Sequence, residues 1–272
     1  MADVHARGVR FHVQRVPAAG DTAATDTAAP TAVHVHGLAV DNLTGMYCTL
    51  AAPLAAAGIA SVLYDQRGHG LSERPPAGYA LADSVADLDA LLDALDLPGP
   101  VHLVGNSYGG AVALAHALAR PERVARLVLI EGHLPVPGWG ARMAASLTGL
   151  DEDRRVGALL REVAGFAPGL DTTLRQRAGA LTASTTLIAD LAATAPVSDE
   201  QLQELVCPVL AVYGGRSDIL AYGQHLAATL PHCELNVLPG SGHFLLASDG
   251  PQVSGLIADW LGVGSAVRSS AR

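Results

Sequence analysis

A serine flanked by glycines stands at Gly105-Asn106-Ser107-Tyr108-Gly109-Gly110, between an apolar run at 101–104 and an Ala-rich helical pattern from 108. A tight strand-to-helix turn leaves no room for side chains beside the serine, hence the glycines, and it lifts the hydroxyl to the N-terminal end of a helix dipole. A serine hydroxyl is a weak nucleophile at neutral pH, so it needs a base and the base needs an orienting acid. Downstream, the apolar run 209–213 leads into Gly214-Gly215-Arg216-Ser217-Asp218, and the run 235–238 leads into Pro239-Gly240-Ser241-Gly242-His243-Phe244. The order serine, acid, histidine, each just past an apolar strand, predicts Ser107 as nucleophile, His243 as general base and Asp218 as the acid. Glu131, which ends the run 127–130, is the alternative acid, because the same order accepts it.

An acyl-transfer site also needs two backbone N–H groups aimed at the tetrahedral oxygen. Tyr108, directly after the nucleophile, is one expected donor. Leu38, in His36-Gly37-Leu38 after the run 32–35, is the other. His36 and Asn106 stand beside these loops and are further candidates to line the substrate pocket, and His36 is also expected to brace the oxyanion loop. Trp139, Met143, Phe166 and Phe244 are candidates either to line an apolar pocket or to pack the core beneath it. Asp65, Arg67 and His69 form a charged turn whose expected role is structural. His34 and His36 share a strand face, but no further ligands follow at a usable spacing, so no metal site is expected. Arg142, Arg154, Arg155, Arg161, Arg175 and Arg177 are interspersed with acidic residues and read as a solvated face.

These residues must be held by a frame. From residue 31 short apolar runs alternate with helical patterns, at 31–36, 44–57, 59–64, 81–95, 101–105, 108–119 and 127–130, which implies a parallel sheet with helices on both faces. After Glu131 the rhythm changes to a Pro/Gly-rich stretch at 133–140 and then helical patterns without strands. The strand pattern resumes at 207–213 and 234–238, and a last helix is expected at 251–261. The chain therefore divides into a first core part at 1–131, a helical cap at 132–200, a second core part at 201–262 and a flexible tail at 263–272.

Composition narrows the function classes. Half of the 272 residues are apolar and 16% are charged, enough for a large buried core. The formal charge of −9 disfavours nucleic acid and anionic membranes as partners. Three cysteines, Cys48, Cys207 and Cys233, make no disulfide framework, and Met-Ala-Asp-Val-His-Ala-Arg at the start carries no apolar run behind a basic stretch. A soluble, cytoplasmic chain is expected, with its oligomeric state open.

Taken together, His36-Gly37, the segment 64–72 (Tyr-Asp-Gln-Arg-Gly-His-Gly-Leu-Ser), the Ser107 elbow, Gly215-Arg216-Ser217-Asp218 and Gly242-His243-Phe244 make the chain resemble the α/β-hydrolase fold superfamily over nearly its full length. The resemblance implies a mostly parallel eight-stranded sheet with a helical cap insertion, no cofactor, and hydrolysis of an ester or thioester of a small or medium hydrophobic acyl group, free or carried on a protein. A serine at 107 sets aside the carboxylate-nucleophile members, epoxide hydrolases and haloalkane dehalogenases. The Gly-Asn-Ser-x-Gly-Gly form is similar to carbon–carbon bond hydrolases, although Leu38-Ala39-Val40-Asp41-Asn42 replaces their Gly-rich stretch. The alternatives on this scaffold are a biosynthetic thioesterase or cyclase, a carbon–carbon bond hydrolase, a cofactor-free haloperoxidase-like enzyme and a non-catalytic ligand receptor.

Overall fold

The structure, a computed structural model, describes residues 2–20, 29–148 and 170–262. Eight strands form one sheet: β1 (Ala2–Ala6), β2 (Val9–Val16), β3 (Thr31–Val35), β4 (Ala60–Tyr64), β5 (Val101–Asn106), β6 (Val124–Ile130), β7 (Val209–Gly214) and β8 (Cys233–Leu238), in the spatial order β1-β2-β4-β3-β5-β6-β7-β8. β1 and β2 form an antiparallel hairpin, β2 joins β4 antiparallel, and every pairing from β4 to β8 is parallel. The mostly parallel eight-stranded sheet is thus present, and the hairpin of β1 and β2 precedes the runs that begin at residue 31.

The strands read as continuous apolar runs because both faces are covered. Along β5, β6 and β7 successive residues fall into opposite cores. Leu103, Leu127, Leu129 and Val209 pack on one side with Leu88, Leu91, Val112 and Ala117. These come from α3 (Leu81–Ala94) and α4 (Tyr108–Ala119). Val104, Val128, Ile130, Leu210 and Val212 pack on the other with Leu50, Leu54, Val253 and Ile257. That second layer is α1 (Leu43–Met46), a π-helical turn (Tyr47–Ala51) and α2 (Ala52–Ala56), completed by the C-terminal helix Gly250–Gly262. Strand periodicity of two thus divides one apolar run between two layers.

Between β6 and β7 the described residues contain helices and no strand: α5 (Trp139–Thr148), α6 (Leu170–Ser184), α7 (Leu187–Ala192) and α8 (Asp199–Gln203). They lean on the segment after β4, where Thr186 N–H donates to the Pro76 carbonyl at 3.0 Å and Tyr79 N–H to Asp190 at 2.9 Å. After β7 come α9 (Leu220–Thr229) and, past β8, α10 (Leu245–Ser248). Among the described residues no helix is long and apolar enough to cross a membrane.

The parallel strands place their C-terminal ends side by side, and chain crossings there are very close. A Cβ at Gly109 would land on the carbonyl oxygens of Val35 and His36, and one at Gly105 would meet the Gly109 carbonyl at 2.5 Å. Backbone atoms cannot step aside as a side-chain tip can. Gly109→Ala is therefore expected to destabilise the fold by about 3 kcal/mol, as overpacking at a fixed site does. A chemical-denaturation midpoint within error of wild type contradicts this.

Candidate active site

Five strand ends build the site, those of β3, β5, β6, β7 and β8. After β5, Ser107 is held at φ 53° and ψ −119°, a conformation that side chains disfavour. Three backbone bonds fix it: Ser107 N–H donates to the Ile130 carbonyl at 2.9 Å, and its own carbonyl accepts from Gly110 at 3.0 Å and His133 at 2.9 Å. After β8, His243 presents Nε2 to Ser107 Oγ at 3.1 Å. The predicted nucleophile and base are together.

The acid differs from the first expectation. His243 Nδ1 lies 2.8 Å from Glu131 Oε2, and Glu131 is fully buried. The same carboxylate accepts the Gly214 N–H on Oε1 and the Ser217 hydroxyl on Oε2. Asp218 is exposed and makes no hydrogen bond to His243 among the described residues. The cause is local backbone. Glu131 follows β6 at φ 49°, with its N–H bonded to the Val212 carbonyl at 2.8 Å. That turn directs the longer glutamate side chain in front of the imidazole, and the β7 loop serves it with Gly214 and Ser217 instead of adding a carboxylate of its own. Gly214 is glycine for a reason, since a Cβ there would strike the Ser241 and Gly242 carbonyls of the histidine loop. Asp218 as orienting acid is thus corrected to the alternative, Glu131.

The loop after β3 is held by several residues. Both His36 and His69 use Nδ1 toward a carbonyl, Gly37 at 2.7 Å and Arg67 at 2.8 Å respectively. Each then accepts a backbone N–H on Nε2, from Gln66 and from Ala39, both at 2.9 Å. Accepting on one ring nitrogen and donating on the other defines a neutral imidazole. Burial, with His36 beside it, lowers the His69 pKa to about 3. Asp41 ties the loop to the nucleophile strand by accepting Gly37 N–H at 2.7 Å and the Asn106 amide at 3.2 Å. A Cβ at Gly37 would lie 3.4 Å from that of Ser107, so the loop passes directly over the nucleophile. Neither Leu38 nor Tyr108 N–H is bonded to an acceptor among the described residues.

The charged turn after β4 is tied to its neighbours by several bonds. Arg67 holds the buried Asp87 through two bonds of 2.8 and 2.7 Å, Arg7 adds a third at 2.8 Å, and Asp65 accepts from Leu43 and Leu71. His34 bonds Ser61 at 3.1 Å, and no group of three possible metal ligands exists among the described residues.

Of the pocket candidates, Phe244 packs its ring edge-on against His243 at 5.2 Å. Met143 is partly buried against the core. His36 is buried and bonded to Gln66, and Asn106 donates to Asp41. Trp139, 1% exposed, stacks with Tyr108 at 6.3 Å and donates its Nε1–H to His133 Nδ1 at 3.2 Å. Phe166 lies outside the described residues, as do Arg154, Arg155 and Arg161 and the side chain of Arg175. Arg142 donates to the Pro137 carbonyl and the Tyr222 hydroxyl. Ser217, His133 and Tyr222 were not singled out from sequence. Ser217 sits in the segment already marked as the acid loop, and His133 stands two residues past the alternative acid.

A hydroxyl, an imidazole and a buried carboxylate in series can move the serine proton and leave the imidazolium stabilised. Several known proteins are similar to this chain. A 2-hydroxy-6-oxononadienedioate/2-hydroxy-6-oxononatrienedioate hydrolase of Paraburkholderia xenovorans is 28% identical over 230 residues, covering 77% of this chain and 78% of that one. A non-heme chloroperoxidase of Streptomyces lividans is 43% identical over 79 residues, so the chain spans only 29% of that enzyme's length. In structure, an esterase from Exiguobacterium antarcticum superposes with a TM-score of 0.76 at 17% identity, over 95% of this chain and 98% of the other, which is a likeness of fold. Residues 32–254 match the family model described as the alpha/beta hydrolase family, and the chain is a member of that enzyme family.

Proposed function

We propose that the protein is a serine hydrolase that cleaves an ester or thioester of a small or medium hydrophobic acyl group through a Ser107–His243–Glu131 triad. The observation that carries this reading is the unbroken series from Ser107 Oγ to His243 Nε2 at 3.1 Å and from Nδ1 to Glu131 at 2.8 Å. His243 takes the Ser107 proton as Oγ attacks the carbonyl carbon. The Leu38 and Tyr108 amides receive the oxyanion; such donors contribute about 3 kcal/mol each to the transition state. His243 returns the proton to the departing alcohol or thiol. Water, deprotonated by the same imidazole, then cleaves the acyl-enzyme. Glu131 accepts from the imidazole throughout, itself held by the Gly214 N–H and the Ser217 hydroxyl.

The helices between β6 and β7 act as a cap in this reading, since Trp139 and Tyr108 join them to the start of α4. Carbon–carbon bond hydrolysis is the second reading. The relative from Paraburkholderia xenovorans favours it, and the chain's Leu38–Asn42 stretch, bound down by Asp41, favours the ester reading.

A panel of p-nitrophenyl esters and acyl thioesters of graded chain length tests the proposal, combined with a fluorophosphonate probe. Turnover of the shorter esters is expected, with the adduct mapped by mass spectrometry to the peptide that contains Ser107. A stable, folded protein that neither turns over any ester nor takes the label there contradicts it.

A further inference from the structure

His133 is a polar side chain beside the proposed triad that the mechanism above does not use. Its ring centroid lies 5.8 Å from that of His243 and 6.0 Å from those of both Trp139 and Tyr222. Its backbone is fixed to the nucleophile, because His133 N–H donates to the Ser107 carbonyl at 2.9 Å. Gly132, just before it, is held by the Tyr213 hydroxyl at 2.6 Å. The ring therefore has little freedom to move relative to Ser107.

Its protonation is equally constrained. An indole N–H is a donor only, so Trp139 Nε1, 3.2 Å from His133 Nδ1, requires that nitrogen to accept. The proton of the neutral ring must then sit on Nε2. Burial, and after it the charge of His243, depresses the His133 pKa to about 3, so the neutral form prevails over any ordinary assay range. Nε2 has no hydrogen-bond partner among the described residues, and the side chain keeps some solvent exposure, unlike the sealed histidines of the core. A donor held this firmly beside a catalytic imidazole, and not used by any described residue, is suited to a ligand oxygen.

We infer that His133 is a positioning residue whose Nε2–H binds an uncharged oxygen of the substrate, a carbonyl, ether or hydroxyl a few bonds from the scissile carbonyl. A neutral donor walled by Trp139 and Tyr222 selects an uncharged acceptor over a carboxylate, which would call for a cation. The inference rests on the reading of Ser107 and His243 as the catalytic pair.

The test compares esters in which one methylene is replaced by oxygen: p-nitrophenyl butyrate against p-nitrophenyl methoxyacetate on the acyl side, and butyl acetate against 2-methoxyethyl acetate on the alcohol side. Each kcat/KM is divided by the hydroxide rate of the same ester. Wild type is expected to favour the oxygen-bearing member of at least one pair. His133→Phe keeps an aromatic ring but no donor, and is expected to reduce that preference by about fivefold to tenfold, the effect of one neutral hydrogen bond. His133→Gln, which retains an N–H, restores part of it. Ratios in both pairs that are the same in wild type and His133→Phe overturn the inference. Because the Phe variant leaves Trp139 Nε1 without an acceptor and can weaken folding, the wild-type imidazole is also observed by 15N NMR. A proton on Nε2 with a bare Nδ1 down to pH 5 is expected, and a proton on Nδ1 overturns the inference. Fluorophosphonate labelling separates the two levels: labelled enzyme with unmoved ratios removes only the His133 role, whereas wild type that never labels at Ser107 removes the triad reading and this inference with it.

Discussion

Glu131→Gln is expected to lower kcat for ester hydrolysis by about a thousandfold or more, by analogy with the acid-to-amide change in serine protease triads, whereas Asp218→Asn changes it by less than about twofold. The reason lies in the donors around the carboxylate. Gly214 N–H, the Ser217 hydroxyl and His243 Nδ1 all converge on its two oxygens. An amide offers one acceptor oxygen and one NH2 group. If its oxygen faces Gly214, the NH2 points at His243 and forces Nδ1 to accept. The ring then carries its proton on Nε2 and cannot take one from Ser107. If the amide flips, the NH2 meets the Gly214 N–H, and a buried donor is left unsatisfied. The first orientation loses the poised base, and the second keeps the tautomer only by burying an unpaired donor against the Gly214 N–H. Asp218 is exposed and far less constrained, so its amide variant changes a surface charge and little else. Steady-state kinetics on a p-nitrophenyl ester, with circular dichroism to confirm folding, decides between them. A large loss in Asp218→Asn beside a mild one in Glu131→Gln reverses the assignment made from the geometry.

Why sequence order ranked the two acids the other way is a matter of backbone direction. Both residues follow an apolar strand, and both precede His243 in the chain. What separates them is the positive φ of Glu131 and the extra methylene that carries its carboxylate to the imidazole, and neither is visible in a pattern of residue types. Ser217 carries the same lesson. The loop after β7 was correctly placed at the site, but its contribution is a hydroxyl that steadies the carboxylate. By contrast, the alternation of apolar runs and helical patterns translated directly into the sheet, since burial on both faces leaves its mark on most residues of β5 and β6 and on all of β7. The elbow was legible for a similar reason: Gly105 and Gly109 sit where backbone crosses backbone, and only glycine fits. His133 was not legible, because its meaning comes from Trp139, Tyr222 and His243, which the fold brings around it from separate elements.

The strain at the elbow leads to an expectation about stability as well as activity. Ser107→Gly should be inactive, with kcat lower by about a millionfold, as when the nucleophile of a comparable triad is removed. It should also be more stable than Ser107→Ala. At φ 53° and ψ −119°, Ser107 occupies a region costly for any residue with a Cβ, and alanine inherits that cost unchanged. Glycine removes a strain of about 1–3 kcal/mol, and its greater freedom in the unfolded chain returns about 0.5–1 kcal/mol. The net gain over alanine is about 1 kcal/mol, which for a domain of this size corresponds to about 2–4 °C in Tm. The two variants lack the same hydroxyl, so their difference isolates the backbone. What sustains the conformation in the native protein is visible: Ile130 accepts the Ser107 N–H, while Gly110 and His133 bind its carbonyl. These bonds hold Oγ in reach of His243 Nε2, so the same turn that costs stability supplies the geometry of attack. Parallel thermal melts of the two variants measure the difference, and Ser107→Gly melting below Ser107→Ala means that the elbow stores no strain for a nucleophile to use.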